Sequence, residues 1–295
     1  MDATPLYGGI EAGGTKFVCA TGTGPDDVRA EIRFPTRGST EALALAIEFF
    51  RTQPKLPSAI GIGAFGPVDS DPASSTYGYI TNTPKEGWQN TDLVGPVRRA
   101  VGVPVVFDTD VNAAAVGEHH WGAARDVNTF LYLTVGTGIG GAAIIRGKRH
   151  HGLMHPEMGH ILVPRAEGDD FEGKCPYHGQ CLEGMASGPA IAARWKMAAT
   201  DIPAGHIAWR IQAHYLAIAV INFIVTLSPE RVILGGGVMQ RSELLPMIRT
   251  IVLDRLRGYI RRDEITRHID SYIVAPALGD RAGVLGAMAL AAEAL

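Results

Sequence analysis

The N-terminal stretch Leu6-Tyr-Gly-Gly-Ile-Glu-Ala-Gly-Gly-Thr-Lys-Phe-Val-Cys-Ala-Thr21 decides the fold class of this chain. Two apolar segments flank a glycine turn at Gly13-Gly14-Thr15-Lys16, and this pattern predicts a β-hairpin. A third strand from Val28 to Phe34 would complete a meander. The chain therefore opens with antiparallel strands joined by a turn whose backbone is accessible.

The same pattern returns in the second half of the chain. Phe130-Leu-Tyr-Leu-Thr-Val135 is an apolar strand, Gly136-Thr137-Gly138-Ile-Gly140-Gly141 is a second glycine turn, and Ala142 to Arg146 is the return strand. Two such units, each followed by alternating helices and strands, suggest duplicated half-molecules. No low-complexity linker separates them, so we predict two α/β lobes around a cleft.

Apolar periodicity predicts the remaining elements. Ser39 or Thr40 is expected to cap the first helix. The apolar stretch from Ala213 to Leu227 is interrupted by polar residues and is predicted to be a buried helix. The predicted helices are 39–50, 93–100, 111–121, 187–197, 204–227, 243–256 and one from Arg281, and the predicted strands are 58–65, 103–107, 231–234 and 272–274.

Length and composition narrow the class of protein. A chain of 295 residues exceeds what one hydrophobic core usually serves, which favours two domains. A formal charge of −3 gives no electrostatic reason to expect nucleic acid or an anionic membrane as partner. The N-terminus shows no basic region before an apolar segment, and the chain has three Cys, so a reducing cytoplasm is the expected location.

A cluster of Cys and His in the second half has metal-ligand spacing. His160 precedes Cys175-Pro-Tyr-His178-Gly-Gln-Cys181, and these four ligands are the number that a closed tetrahedral Zn²⁺ site needs. Glu157 and Glu183 flank them, so that folding of the metal site would also fix both carboxylates. A disulfide between Cys175 and Cys181 is the main alternative, and Cys19 in an apolar strand is predicted to be core.

The two glycine turns suit phosphate better than a dinucleotide. Neither is a Walker A loop, and the apolar strand after the second turn excludes a Rossmann fingerprint. Backbone N–H groups freed by glycine can converge on anionic oxygens. Thr15, Lys16 and Thr137 would add donors, and Glu11 is a candidate for holding Mg²⁺ through water.

Asp110 stands where a buried strand meets a helix. A carboxylate there projects toward the carboxyl edge of an α/β sheet and can accept a proton from a substrate hydroxyl. The alternative is that Asp110 only caps the helix. Asp108 is a nearby rival, although it is better placed to complete the strand.

Six segments form an ordered set of motifs: residues 8–17 (GGIEAGGTKF), 108–115 (DTDVNAAA), 133–141 (LTVGTGIGG), 156–160 (PEMGH), 175–184 (CPYHGQCLEG) and 233–239 (ILGGGVM). Together they resemble the ROK family of sugar kinases, in particular its bacterial fructokinase branch. The resemblance implies a two-lobed actin-like ATPase (RNase H-like) fold with an interlobe cleft and a zinc-stapled loop. The expected lobes are 1–122, with the helix 281–295 packing back on it, and 123–280, which carries the zinc loop 157–183.

The resemblance also implies roles for single residues. Asp110 matches the catalytic base of an ATP-dependent fructokinase that uses Mg-ATP. Asn112, Glu157, His160 and Glu183 match sugar contacts, and His160, Cys175, His178 and Cys181 match the ligands of one structural zinc. The positions that match the nucleotide-binding side are Gly13, Gly14, Thr15, Lys16, Gly136, Thr137, Gly138, Gly140, Pro189, Gly235, Gly236, Gly237 and Gln240.

Departures from the family pattern leave alternatives open. Most relatives carry three Cys in the metal loop, whereas His178 replaces one here, a variant closer to fructokinases than to glucokinases. Thr83-Pro-Lys-Glu-Gly-Trp88 replaces a glucokinase-like sugar loop. A kinase for glucose, mannose or N-acetylmannosamine is the main alternative, and a non-catalytic sugar-responsive regulator is a weaker one. Family members are usually dimers, so a homodimer is implied.

Overall fold

The computed structural model describes residues 5–295. Residues 1–4, which belong to the N-terminal stretch without a predicted secretory signal, lie outside the described part. The strands are β1 (Tyr7–Ala12), β2 (Lys16–Gly24), β3 (Asp27–Pro35), β4 (Ala59–Ala64), β5 (Tyr79–Ile80), β6 (Thr91–Asp92), β7 (Val105–Thr109), β8 (Phe130–Val135), β9 (Ile139–Ile145), β10 (Lys148–Arg149), β11 (Arg231–Gly235) and β12 (Ile273–Val274). The helices are α1 (Ser39–Arg51), α2 (Val94–Val101), α3 (Asp110–Trp121), α4 (Leu182–Ala186), α5 (Gly188–Trp195), α6 (Ile207–Leu227), α7 (Leu244–Leu256), α8 (Asp263–Thr266), α9 (Ile269–Tyr272) and α10 (Ala282–Ala292).

The chain divides into two compact units. Unit 1 contains the described residues up to Asp126 together with Arg149–His155 and Ala277–Leu295, and unit 2 contains Val127–Lys148 and Pro156–Pro276. Each unit is built on one five-stranded sheet. The strand orders are β3-β2-β1-β4-β7 and β10-β9-β8-β11-β12.

The two sheets share one topology. In each, an antiparallel hairpin, β1–β2 or β8–β9, is continued on its first strand by two parallel strands. The predicted duplication is therefore present in the order of the strands as well as in the sequence pattern.

Helix α10 covers the sheet of unit 1 at close range. A Cβ atom on Gly61 of β4 would collide with the carbonyl oxygen of Ala287, and one on Gly9 of β1 would stand 2.6 Å from the carbonyl oxygen of Val284. Helix α3 packs on α10 in the same way, because a Cβ on Gly286 would meet the Ala113 carbonyl. These glycines let helix and sheet backbones approach, which explains part of the high glycine content.

Unit 2 has its own core around α6. The helix buries Ala213, Leu216 and Val220 among residues of α4, α7 and the sheet. By length and composition it is the one helix of residues 5–295 that could cross a membrane, and half of its apolar window is buried in the fold. The predicted buried helix is thus observed, beginning at Ile207 because His206 caps it through its Nδ1.

Several local predictions are wrong for identifiable reasons. Helix α1 is capped by Gly38 without a side-chain bond, because the Ser39 hydroxyl donates to the carbonyl of Gly87 instead. The predicted helix 187–197 ends earlier and is preceded by the unpredicted α4, with Ser187 capping α5 between them. The second glycine turn is shorter than predicted, since β9 begins at Ile139 and Gly140 lies inside it.

Candidate active site

The first glycine turn joins β1 to β2, and all four of its carbonyl groups are hydrogen-bonded. The Thr36 hydroxyl donates to Gly13 O (2.7 Å), the Lys85 ammonium to Gly14 O (2.8 Å) and the Thr36 backbone N–H to Thr15 O (2.9 Å). Gly13 N–H donates to Lys16 O (3.0 Å) and closes the turn. A Cβ added to Gly14 would have no neighbour within 4 Å, and Thr15 is exposed. The carbonyls are thus turned to the protein, and the opposite face of the turn is open to an anion.

Asp110 is the first residue of α3 and does not cap the helix. Thr109 is the cap, and its hydroxyl oxygen accepts a bond from Asn112 N–H. The Asp110 Oδ1 accepts a bond from Val111 N–H at 2.8 Å. Burial raises the pKa of Asp110 to about 6, although backbone hydrogen bonds act in the opposite direction. A carboxylate with such a pKa is suited to general-base chemistry near neutral pH.

Glu11 lies in β1 of the same unit as Asp110. Burial raises its pKa to about 7, the charge of Lys16 opposes the shift, and the charge of Asp110 adds to it. Its Oε2 is buried and has no hydrogen-bond partner among the described residues. An orphaned carboxylate oxygen beside a second carboxylate fits a hard cation such as Mg²⁺.

Asp108 ends up inside a buried polar network. Its side chain is 1% exposed, and its oxygens contact Arg149 Nε (2.8 Å), His151 Nε2 (3.0 Å) and Asn112 Nδ2 (2.7 Å). Burial opposes ionisation, but the His151 hydrogen bond and the Arg149 charge outweigh it and hold the pKa of Asp108 below its ordinary value. Asp108 therefore completes strand β7, as predicted, and leaves Asp110 as the carboxylate that remains partly exposed.

Asn112 takes part in this network. It is 1% exposed, its amide nitrogen donates to Asp108, and its Oδ1 has no partner among the described residues. The predicted sugar contact would therefore depend on this one free oxygen.

The second glycine turn joins β8 to β9 in unit 2, and the carboxylate of Glu183 contacts it. Glu183 Oε2 accepts a bond from Ile139 N–H at 2.9 Å, and a Cβ on Gly138 would stand 2.6 Å from the same oxygen. The turn is closed by Gly136 N–H donating to Gly138 O (2.8 Å). A side chain at position 138 would therefore displace the Glu183 carboxylate from its present place beside the turn.

Three segments that are predicted to bind the nucleotide contact one another in unit 2. Gly188 N–H, one residue before Pro189 at the start of α5, donates to Gly136 O at 2.8 Å. Gly236 has φ +91°, a conformation that favours glycine, and a Cβ there would collide with the backbone of Val135. Gly237–Gln240 forms a 3-10 turn directly after β11. The second turn, the start of α5 and the 235–240 segment therefore form one continuous backbone surface.

The four predicted metal ligands converge. One ligand atom from each of His160, Cys175, His178 and Cys181 lies within 4.8 Å of all the others. Both cysteines are free thiols, which rejects the disulfide alternative for this structure. His160 Nδ1 is 3.8 Å from Cys175 Sγ and 3.4 Å from Cys181 Sγ, and His178 Nδ1 is 3.7 Å from Cys175 Sγ.

This geometry fits a tetrahedral zinc. Zn–S bonds of about 2.3 Å and Zn–N bonds of about 2.05 Å imply S···N edges of roughly 3.6 Å. Each sulfur also accepts a backbone N–H from three residues ahead, Cys175 from His178 and Cys181 from Gly184. Such bonds orient metal-binding thiolates.

The ring of His160 has two distinct sides. Nδ1 faces the sulfurs, whereas Nε2 lies 4.0 Å from Glu183 Oε1. Glu157 precedes the 3-10 turn that carries His160, and its carbonyl accepts the His160 N–H (2.9 Å). The structure thus places the side chains of His160 and Glu183 close together, and the backbone of Glu157 lies at the start of the turn that carries His160.

The sequence-based predictions did not include four residues that contact the site residues. Lys85 and Thr36 hold the first turn, and Arg149 and His151 contact Asp108. The replacement of the usual sugar loop by Thr83–Trp88 was a signal for Lys85. Nothing in the sequence pointed to Thr36 or His151, which come close to the site only through tertiary packing.

Comparisons with known proteins agree with the motifs. The ROK family profile matches residues 7–294. A fructokinase of Pediococcus pentosaceus is 43% identical over 290 residues, which are 98% of this chain and 99% of that protein. A fructokinase of Zymomonas mobilis subsp. mobilis is 44% identical over 298 residues, which cover 98% of this chain and 97% of that protein.

A solved structure extends the agreement to the fold. The ROK family glucokinase from Streptomyces griseus, in complex with glucose and AMPPNP, has a TM-score of 0.74 at 25% identity, and the match covers 98% of this chain and 99% of that chain. The family predicted from the six motifs and its actin-like α/β fold are confirmed.

Proposed function

This chain belongs to the ROK family, and from this premise we propose that it is an ATP-dependent fructokinase that converts D-fructose to fructose 6-phosphate. The observation that carries the kinase assignment is Asp110, a partly exposed carboxylate with a pKa of about 6 at the end of a parallel strand. The choice of fructose rests on the relatives at 43% and 44% identity.

Asp110 is proposed as the general base. It takes the proton of the fructose 6-hydroxyl while that oxygen attacks the γ-phosphorus of ATP and ADP leaves. Its raised pKa makes it a better proton acceptor than an ordinary Asp, while it stays mostly ionised above pH 6. Asp108 cannot take this role, because Arg149 and His151 already bind its oxygens.

Fructose hydroxyls are assigned to Glu157, His160 and Glu183, with Asn112 Oδ1 as a fourth contact. His160 Nε2 and Glu183 Oε1 lie on the side of His160 that faces away from the sulfurs. Their positions are fixed by the Cys/His cluster, so the sugar meets a preorganised set of polar groups.

ATP is assigned to the two glycine turns and to the surface behind the second one. Gly13, Gly14, Thr15 and Lys16 are proposed to bind phosphoryl oxygens through N–H groups and side chains. The corresponding assignments in unit 2 are Gly136, Thr137, Gly138, Gly140, Pro189, Gly235, Gly236, Gly237 and Gln240. Mg²⁺, when bound, neutralises charge on the phosphates, and Glu11 is the residue that would hold it through water.

A structural zinc is assigned to His160, Cys175, His178 and Cys181. Four protein ligands leave no open position, so the metal would hold the loop and take no part in the reaction. We further propose a cytoplasmic homodimer whose partners are ATP and a hexose, with no nucleic acid or membrane.

Asp110→Asn tests the mechanism. The amide is nearly isosteric but cannot accept the proton, so kcat with fructose should fall by at least about 100-fold while the fructose Kd stays within about twofold. Initial rates of ADP release and calorimetric binding of fructose measure the two quantities. A variant that keeps most of its turnover would overturn the assignment of Asp110.

The choice of sugar needs a separate experiment. Fructose, glucose, mannose and N-acetylmannosamine are compared by kcat/KM at saturating Mg-ATP, and fructose should be the best substrate. A higher kcat/KM for another hexose would leave the kinase assignment in place and would make that hexose the preferred substrate. Binding of fructose with no ADP release in any arm would favour the sugar-responsive regulator.

A further inference from the structure

The loop Thr83–Trp88 is held rigidly against the first glycine turn. Trp88 is fully buried, its Nε1–H donates to Arg37 O (2.8 Å), and its ring centroid lies 5.6 Å from that of Phe17, just after the turn. Thr83 is 2% exposed, and its hydroxyl oxygen accepts the Lys85 N–H at 3.3 Å. The Trp88 N–H donates to Lys85 O at 3.2 Å. The backbone of Lys85 is therefore fixed on both sides.

The side chain of Lys85 ends at the turn. Its Nζ donates to Gly14 O at 2.8 Å, across 71 positions of sequence. A lysine ammonium carries three donors, and this bond uses one of them. The salt bridges of the described residues include none to Lys85. Two N–H donors and a full positive charge thus remain beside a turn whose open face already suits an anion.

We propose that Lys85 binds a phosphoryl group of the nucleotide at the first glycine turn. This inference rests on the proposed function, because it assumes that the turn receives phosphate. It adds a binding residue from a loop that the family resemblance left without an assignment. Lys85 would do two things at once: it keeps the Gly14 carbonyl away from the anion and supplies charge-assisted hydrogen bonds to it.

Lys85→Met and Lys85→Arg test the proposal by calorimetric titration with Mg-AMP-PNP, fructose and fructose 6-phosphate. Lys85→Met should raise the Kd for Mg-AMP-PNP by about 10- to 100-fold, which is the range expected for loss of a charge-assisted hydrogen bond. The Kd for fructose should stay within about twofold of the wild-type value. Lys85→Arg should recover most of the affinity. Lys55→Met removes an exposed lysine of the same unit and should leave the Kd of every ligand unchanged.

Ionic strength separates charge from mere support of the loop. If Lys85 contacts phosphate, the wild-type Kd for Mg-AMP-PNP rises with added NaCl more steeply than the Kd of Lys85→Met, because salt screens an exposed charge. If Lys85 only supports the loop, the Kd for Mg-AMP-PNP should rise equally steeply with NaCl in the wild type and in Lys85→Met. Thermal unfolding of each variant shows whether the loop still folds.

Each result has a definite meaning. An unchanged Mg-AMP-PNP affinity in Lys85→Met, equal salt slopes, or a parallel loss of fructose binding overturns the proposal. A loss confined to fructose 6-phosphate overturns the assignment to the nucleotide and moves it to the sugar phosphate. Wild-type protein that binds no Mg-AMP-PNP refutes the proposed function itself, which is a separate failure.

Discussion

The two glycine turns have the same sequence pattern, but different side chains support them. In the first, Thr36 and Lys85 donate hydrogen bonds to the turn's carbonyls. In the second, the Glu183 carboxylate accepts the N–H of Ile139 and fills the space beside Gly138. Within residues 5–295, only donors hold the first turn from outside it, namely a hydroxyl, a backbone amide and an ammonium, whereas the second turn is held by the Gly188 N–H and by a carboxylate. A repeated motif therefore fixes the backbone path, while unrelated neighbours decide the charge beside it.

Glu183 connects the second turn to the Cys/His cluster of the same unit. Glu183 stands two residues after Cys181 at the start of α4, and its other oxygen is 4.0 Å from His160 Nε2. The first turn depends on a packed tryptophan loop instead. Loss of the metal should therefore affect the two turns unequally.

The largest effect is expected from Cys175→Ser, which removes one of the four proposed zinc ligands and should free the loop that carries Glu183. The free energy of unfolding should fall by roughly 3 kcal/mol or more, since metal binding and loop folding are coupled. Zinc content should drop, and amide hydrogen exchange should accelerate at Ile139 but not in the segment 13–16. Metal analysis and exchange mass spectrometry measure both.

Lys174→Ala, an exposed neighbour outside the ligand set, is the matched control and should keep its zinc. Unchanged zinc stoichiometry in Cys175→Ser would reject the ligand set. Equal acceleration of exchange in both turns would remove the distinction between them.

A pair of glycine substitutions probes the space beside each turn. Gly138→Ala places a Cβ 2.6 Å from Glu183 Oε2 and should destabilise the fold by about 1–3 kcal/mol. Gly14→Ala meets no atom within 4 Å and should cost less than about 1 kcal/mol. Chemical denaturation without ligand compares the two. Equal costs would mean that Glu183 does not occupy that space in solution.

The smallest expected effect is the contribution of the Asp110 carboxylate to the pH dependence of stability. Burial raises the pKa of Asp110 from 3.8 to about 6, so the folded state holds this proton more tightly than the unfolded state. Stability is therefore lost as pH rises from about 4 through 6. Asp110→Asn should be about 1–2 kcal/mol more stable than the wild type at pH 7.5, a value reduced for partial exposure, and equal to it near pH 4.

Glu183→Gln is the control for this pH dependence. Its amide oxygen can still accept the Ile139 N–H, so no gain in stability is expected at pH 7.5. Denaturation midpoints at several pH values for ligand-free protein measure both variants. A wild-type level of stability in Asp110→Asn at every pH would show that Asp110 is well solvated.

The sequence by itself determined the elements that depend on local pattern. Alternating apolar residues and glycines specified both hairpins, and ligand spacing specified the Cys/His cluster, because those signals lie within a few residues of each other. It failed where a distant group competes for a local donor. Ser39 or Thr40 was predicted to cap α1, but Gly38 is the cap, because the Ser39 hydroxyl donates to the carbonyl of Gly87. The short helix α4, which lies before the predicted helix 187–197, was not predicted.

Only the tertiary structure decided which carboxylate stays available and what stands beside each turn. Asp108 and Asp110 are two positions apart, yet it is the oxygens of Asp108 that Arg149 and His151 contact. Both contacts come from the segment Arg149–His155, which lies about 40 residues further along the chain and belongs to unit 1. Lys85 reaches Gly14 and Glu183 reaches Ile139 in the same manner. Electrostatic environment depends on distances in space, which no spacing along the chain encodes.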